Sequence, residues 1–253
     1  MARTGRNQLA QAIPHPGQFG ELAFDVHQLR RRGLLHASHV PPAAPGEPGA
    51  LPAVIAPPGP GVARYRIDPA ESLVAIVARR GGALAAFGHN HVIAARTMAG
   101  VIDLREPLVA SRLELHLSVA GFTVDEPALR SGRGEDFPDV VPDEDRAATR
   151  RNMLGKDLLD AAQHPDIVVR LESLAGGPQH FAARLAVVVR DARRVIDVPV
   201  TLARRSAGLL QLSARFPLDQ TALGLVPYSA LLGALKVENT LDIEVDLTAR
   251  RVP

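Results

Sequence analysis

The chain has 253 residues, a formal net charge of +2 and no cysteine, which excludes disulfide bridges, thiol catalysis and cysteine-ligated zinc. Hydrophobic residues make up 46% of the chain, but aromatic residues make up only 4% and tryptophan is absent, so a core must rely on aliphatic side chains. The basic residues are almost all arginines scattered along the chain, which argues against a nucleic-acid partner, and no apolar run approaches the roughly 20 residues of a transmembrane helix.

The first part of the chain differs from the rest, because residues 1–62 hold 10 of the 21 prolines. Prolines at this density remove amide donors and prevent regular strand pairing, so we predict a Pro-rich, largely disordered segment and linker. No clear signal peptide is recognised, because His36 and His39 interrupt the short apolar stretch that follows the arginines at 30–32. Whether residues 1–62 are native, processed or a misassigned start is left open.

From residue 63 onward, apolar and polar residues alternate as in β-strands that are wet on one face. The predicted strands are 65–68, 72–79, 89–104, 112–119, 167–171, 181–189, 196–202, 210–216 and 237–247. Eight or nine strands with short connections predict one all-β domain over residues 63–250, either a sandwich or a closed antiparallel barrel. In the strand 112–119 the alternation predicts that His116 faces water.

The strands are interrupted between residues 123 and 166. An acidic loop at 135–145, predicted to be solvated, leads into a predicted helix at 145–154 that stops at Gly155. A second short helix is predicted at 157–162 and ends before Pro165. Inserted into a barrel, these helices would lie at its mouth or side and could form a lid.

Several short motifs, taken in order, resemble the YceI-like family over residues 63–249. They are Tyr65-Arg66-Ile67-Asp68-Pro69, Ser72, Gly88-His89, Gly100-Val101-Ile102-Asp103-Leu104, Asn152-Met153, Leu158-Leu159-Asp160-Ala161, His164-Pro165-Asp166-Ile167, Phe216-Pro217-Leu218, Leu223-Gly224-Leu225 and Gly233-Ala234-Leu235-Lys236-Val237. The resemblance implies an extended eight-stranded, antiparallel, lipocalin-like barrel with one or two short inserted helices. It also implies an apolar interior that binds polyisoprenoid or other lipid-like chains, and a periplasmic or secreted location.

The resemblance therefore implies a non-catalytic carrier of a polyisoprenoid, quinone or fatty-acid-like lipid, with no cofactor other than that bound lipid. An eight-stranded barrel has room for one slender ligand, although a filled barrel without a ligand is the alternative. The residues expected to contact the ligand are Phe87, His89, His91, Leu115, Leu117, Val169, Leu185, Val187, Val200, Leu212, Phe216, Ile243 and Val245. The only partner expected is this small molecule, and a homodimer is left open.

His89 and His91 support an alternative function in metal binding. In a strand, residues two apart share a face, and two imidazoles on one face can converge on zinc or copper. Further ligands would have to come from elsewhere, and the candidates are His164, His180, Asp68, Asp103 and the carboxylates of 135–145. The serines lack a nucleophile-elbow context, and no phosphate-binding glycine loop follows a strand, so an enzyme is the weaker class.

Overall fold

The structure is a computed structural model, and it describes residues 59–137, 140–177 and 179–252. The predictions for residues 1–58 lie outside the described residues. The strands are β1 Ala63–Ile67, β2 Leu73–Ala78, β3 Arg80–Gly81, β4 His91–Ala95, β5 Met98–Leu104, β6 Arg112–Ser118, β7 Phe122–Val124, β8 Asp166–Gly176, β9 His180–Val189, β10 Ala192–Ser206, β11 Leu209–Asp219, β12 Ser229–Ala230, β13 Leu235–Val237 and β14 Thr240–Arg251. The α-helices are α1 Pro127–Arg130 and α2 Asp143–Leu154, and short 3-10 turns connect several strands.

Eight antiparallel strands close into a barrel in the order β1, β5, β6, β8, β9, β10, β11 and β14. Closure occurs at β1, where Tyr65 pairs with Ile102 of β5 on one side and with Arg251 of β14 on the other. A closed barrel leaves no unpaired edge among these strands. The predicted eight-stranded antiparallel barrel is therefore confirmed.

Three further strands, β2, β4 and β7, extend the sheet from β14. β14 is long enough to pair with β2 through residues 242–246 and with β1 through residues 249–251. The predicted single strand 89–104 is wrong, because it is divided into β4 and β5 at Arg96 and Thr97. The Thr97 carbonyl accepts a hydrogen bond from the Ser118 amide at 2.9 Å, which turns the chain between the two strands.

Alternate residues of each strand point into the barrel, as expected for a closed sheet. The main core cluster is aliphatic in character and includes Ile67, Val74, Ile93, Leu115, Leu117, Val187, Leu210, Ile243 and Leu247. A second cluster lies on the outer face of β2 and β4, where Phe137 covers Val77 and Val92. The segment from α1 to Phe137 is thus a strap across the outside of the barrel, and Arg133 fixes it to Glu244 of β14 through two 2.8 Å hydrogen bonds.

The two predicted helices have different outcomes. The helix predicted at 145–154 is confirmed as α2 and begins two residues earlier, at Asp143, with three acidic residues in its first turn. The helix predicted at 157–162 is wrong, because that segment forms turns in which the Leu159 amide donates to the Met153 carbonyl and Asp160 adopts φ 45°. The turns allow Leu159 to enter the main core cluster, which stabilises this irregular backbone.

The prediction that His116 faces water is also wrong. His116 points outward from β6, but its side chain is only 12% exposed and its Nε2 lies 2.8 Å from Glu114. Arg170 of the neighbouring strand β8 also binds Glu114, at 3.0 Å. Alternation predicted the direction of the side chain, but the neighbouring long side chains determine whether water reaches it.

Candidate functional site

The inserted helix and the histidine pair lie at the same end of the barrel, which we call the upper end. There β2 ends at Ala78 and β4 begins at His91, and these two residues are paired. The start of β14 and the end of β11 lie at this end, since Thr240 pairs with Asp219. The hairpin turn between β9 and β10 lies there too. The lower end carries the connection from β5 to β6 and the turn from β10 to β11.

His91 lies on the inward face of β4, on the same side as Ile93 of the main core cluster. Its side chain is 13% exposed, and its Nδ1 is 2.6 Å from Oδ2 of Asp125. Its Nε2 is 3.2 Å from the hydroxyl of Thr149 on α2. His91 is therefore a polar group on an aliphatic face, and it joins the barrel wall to the inserted helix.

Asp125 is the buried centre of this arrangement. It directly follows β7, with φ 56°, and its Oδ1 accepts hydrogen bonds from the Val92 amide at 2.9 Å and from Arg130 at 2.6 Å. Burial by itself raises the pKa of Asp125. The hydrogen bonds from His91, Val92 and Arg130 outweigh burial, so the pKa of this carboxyl lies below its usual range. The charged carboxylate is thus the favoured form in the folded protein.

Arg130 extends the network to the outer face of the barrel. Its guanidinium is buried, donates to the Asn90 carbonyl at 2.7 Å and lies 5.5 Å from the centre of the Phe137 ring. The Asn90 side chain, in turn, donates to the Asp136 carbonyl and accepts from the Arg80 amide. Sequence reasoning missed Asp125 and Arg130, and their only signal was a charged pair five residues apart beside a short strand.

His89 lies before β4 rather than within it, which corrects the strand assignment on which the pair was predicted. Even so, the His89 and His91 rings are close, with centroids 6.2 Å apart in an edge-to-face arrangement, while Asn90 is buried on the other side of the chain. His89 Nε2 lies 3.3 Å from Asp145 at the start of α2. Both histidines therefore face the inserted helix.

Of the candidate metal ligands named from the sequence, Asp145 lies beside the histidine pair, 3.3 Å from His89 Nε2. Among the residues that the structure describes, no group of three or more His, Asp or Glu side chains is placed to hold an ion. The other candidate ligands are engaged elsewhere: Asp68 with Arg250, Asp103 with Arg64, His164 with Asp191 and His180 with Thr201. Both ring nitrogens of His91 already have partners.

Most of the residues predicted to contact a ligand lie in or against the main core cluster. Leu115, Leu117, Val187 and Ile243 belong to the cluster, and Val169, Leu185, Leu212, Phe216 and Val245 pack against it. Val200 is partly buried and pairs with buried Phe181. Phe87 differs from these residues, because it is 56% exposed on a 3-10 turn at the upper end. Whether these residues bind a ligand stays a prediction.

A pocket of about 430 Å³ lies between the β9–β10 hairpin and residues 223–225. Of its lining residues, Val189, Leu223 and Leu225 belong to the main core cluster, whereas Arg190 and Asp191 form its rim. Three residues of the barrel core thus form part of the wall of this pocket. Its volume lies within the range of small-molecule sites. The pocket is therefore a candidate entrance at the upper end.

The solved structures that share this fold include the following two. BcnA from Burkholderia cenocepacia is 16% identical, with a TM-score of 0.53, over 72% of this chain and 98% of that one. A polyisoprenoid-binding domain from Saccharophagus degradans, implicated in plant cell wall breakdown, is 12% identical, with a TM-score of 0.51, over 74% of this chain and 98% of that one.

A search of curated protein sequences found no match. No helix in the described ranges is long and apolar enough to cross a membrane. The YceI-like domain model, however, matches residues 65–249, which is most of the chain and extends from within β1 to within β14. The sequence match, the closed barrel and the helix inserted at its upper end agree, and the chain belongs to the YceI-like domain family.

Proposed function

We propose that this protein binds and carries an apolar chain molecule, a polyisoprenoid, quinone or fatty-acid-like lipid, in the barrel without changing it chemically. The observation that carries the proposal is the pocket at the upper end, because three of its lining residues are part of the barrel core. A chain entering there would meet aliphatic side chains on every strand. The polyisoprenoid binding of the Saccharophagus degradans domain supports the same class of ligand.

The polar groups at the upper end suit a ligand with one polar terminus. His89 and His91 are polar groups beside the aliphatic core, and α2 holds them through Asp145 and Thr149. Both ring nitrogens of His91 already have partners, so a quinone carbonyl, a hydroxyl or a carboxylate would bind the partly exposed His89 ring, while its hydrocarbon chain extends into the barrel core. The proposed site thus combines the aliphatic interior of the barrel with a small polar end.

A hydrolytic function is less well supported by the same residues. Thr149, His91 and Asp125 do form a chain of hydroxyl, imidazole and carboxylate. Acyl transfer also needs amide donors aimed at the developing oxyanion, and Thr149 lies inside α2, where backbone amides are used within the helix. The network is better explained as a support for the inserted helix.

The proposal is tested by extracting the purified full-length protein with organic solvent and analysing the extract by mass spectrometry. The variant Ala214→Phe places a large ring on the inward face, and Ser213→Phe places the same ring on the outward face of the same strand. We expect an apolar chain molecule from the wild type and from Ser213→Phe, and several-fold less from Ala214→Phe. If neither the native protein nor protein incubated with lipids releases an apolar molecule, the proposal is wrong.

A further inference from the structure

Two neighbouring loops at the upper end contain no charged side chain. One covers residues 220–235 and the other covers residues 81–88, in a protein in which 22% of residues are charged. β3 and β13 join the loops, with Lys236 paired to Gly81, and the Leu84 amide donates to the Ala234 carbonyl at 2.7 Å. We call this pair of loops the apolar tip.

The apolar tip exposes several of its large hydrophobic side chains, although Leu223 and Leu225 are buried in the core. Leu232 is fully exposed and Val226 is 75% exposed, and Leu231, Tyr228 and Phe87 are each about half exposed. Isolated exposed apolar residues are common, but a contiguous group of them marks an interaction surface. These five residues lie on two loops that are hydrogen-bonded together, so they form one group.

The backbone of the tip is strained in a way that projects these side chains. Leu231 and Leu232 have φ of 51° and 55°, a left-handed conformation that costs a leucine free energy and that glycine adopts freely. Gly233 follows with φ 90°. Folding alone would favour glycine at 231 and 232 as well. Strain that persists at an exposed position points to a function of the side chain itself.

The charges around the tip favour an apolar contact over an electrostatic one. The cations that flank the two loops, Arg79, Arg80 and Lys236, are each paired with a carboxylate, from Asp242, Asp136 and Glu238 respectively. These flanking charges are thus paired, while Tyr228 offers the amphipathic ring that suits a membrane–water boundary. A stable protein interface needs about 800 Å² per partner with many hydrogen bonds, which two loop tips with few polar side chains do not offer.

We propose that the apolar tip inserts into the surface of a lipid bilayer and holds the barrel entrance against it. The loop 220–235 includes Leu223 and Leu225, which line the pocket, so the inserting side chains and the entrance belong to one segment. An apolar chain could then pass between bilayer and barrel without crossing water. The purpose of docking rests on the proposed function, but docking itself needs no ligand in the barrel.

The absence of tryptophan allows a direct test with single-tryptophan variants of the full chain. Leu232→Trp places the probe at the tip, and the control Val109→Trp places it on a 51% exposed valine at the lower end. With phosphatidylcholine vesicles and with mixed phosphatidylcholine–phosphatidylglycerol vesicles, we expect a blue shift and quenching by brominated lipid for Leu232→Trp alone. Equal quenching of the two probes, or none at 232, would overturn the proposal.

Vesicle flotation of the unlabelled protein gives a second measurement. We expect the wild type and Val109→Ser to float, also at high salt, and Leu232→Gly to lose about tenfold in vesicle affinity. Because glycine relieves the positive φ, Leu232→Gly should also unfold at a higher temperature, so its loss of binding cannot be ascribed to misfolding. Equal flotation of Leu232→Gly and the wild type would contradict docking through the tip.

Other outcomes distinguish docking of the tip on a bilayer from binding of a lipid in the barrel. The wild type could instead fail to bind vesicles and sediment as a dimer that the Leu232→Gly substitution dissociates. In that case the apolar tip binds a second copy of the chain, and the proposal of bilayer docking is wrong. If the protein docks but never releases an apolar molecule on extraction, the proposed function fails and the docking surface stands. If it releases such a molecule but never docks, the carrier proposal stands and this inference fails.

Discussion

The Asp125 carboxylate accepts hydrogen bonds from His91 on the inner face of β4, from the Val92 amide and from Arg130 of the outer strap. One residue thereby connects the barrel wall, the strap and, through His91 and Thr149, helix α2. Its side chain is fully buried, as is that of Arg130. Charges placed this deep are stable only while each remains paired.

Replacing Asp125 by asparagine should destabilise the protein strongly. The substitution keeps the size of the side chain but leaves the buried Arg130 guanidinium without its carboxylate, which costs about 3–5 kcal/mol. Glu126→Gln is the matched control, because Glu126 pairs with the exposed Arg96 at 3.0 Å and should cost less than about 1 kcal/mol. Urea unfolding of both variants measures the difference, and similar costs would contradict a central role for Asp125.

Asp125 should also make the free energy of unfolding depend on pH in the acid range. Because the pKa of Asp125 is lowered on folding, its stabilisation is present above the unfolded pKa of about 4 and is lost as pH falls through the folded pKa. The stability gap between the wild type and Asp125→Asn should therefore narrow as urea titrations move from neutral pH to below about pH 4. A gap that stays constant through this window would show that Asp125 does not titrate with folding.

At the scale of elements, barrel closure depends on how closely β5 approaches β6. Gly100 of β5 pairs with Leu115, and a Cβ atom at Gly100 would lie 2.7 Å from the Glu114 carbonyl oxygen and 3.1 Å from the Leu115 Cα. A third contact, Cγ1 of Ile67 at 3.1 Å, is a side-chain atom that can shift, but the two contacts on β6 are backbone atoms that cannot move without displacing the strand. The glycine therefore sets the distance between two barrel strands.

Gly100→Ala should destabilise the barrel by about 1–3 kcal/mol, because the added methyl group forces the paired backbones apart. Gly208→Ala is the matched control: it lies in the turn between β10 and β11, with no atom within 4 Å of the added methyl group. That change should stay within about 0.5 kcal/mol of the wild type. Thermal and urea unfolding would disprove the steric explanation if both substitutions had the same small effect.

At the scale of the molecule, the two ends of the barrel have different roles. The upper end gathers the pocket, the histidine pair, α2 and the apolar tip, whereas the lower end consists of short connections between strands. The long strand β14 makes this asymmetry possible, since its first half pairs with β2 and its last residues pair with β1. The extra strands β2, β4 and β7 thus lengthen the wall at one end only.

A bound apolar chain should stabilise the whole barrel. Protein stripped of lipid and then given a long-chain isoprenoid alcohol at about 100 times its Kd should gain about 2.7 kcal/mol, which raises the melting temperature by roughly 5–10 °C. Ala214→Phe should melt at nearly the same temperature with and without the alcohol, whereas Ser213→Phe should respond like the wild type. Equal shifts in all three proteins would place the ligand outside the barrel.

The sequence by itself determined where most strands of the barrel lie, which of their residues face inward, and the helix α2. Alternation and acidic first-turn residues are local patterns, and the ordered motifs identified the family. The spacing of two residues also correctly predicted that the His89 and His91 side chains lie close together, although only His91 lies in a strand. Local patterns did not predict the turn at Arg96 and Thr97 or the turns in residues 157–162. In residues 157–162, turns rather than a helix allow Leu159 to pack in the core.

Only the tertiary structure decided which end of the barrel holds the candidate site. Asp125 and Thr149 are far from His91 in sequence, and long-range folding alone places the side chain of each within hydrogen-bond distance of His91. The same holds for Leu223 and Leu225, which join the core while Leu232, a few residues later, is fully exposed. The sequence shows that these leucines are apolar, but their burial depends on which strands surround them in the closed barrel.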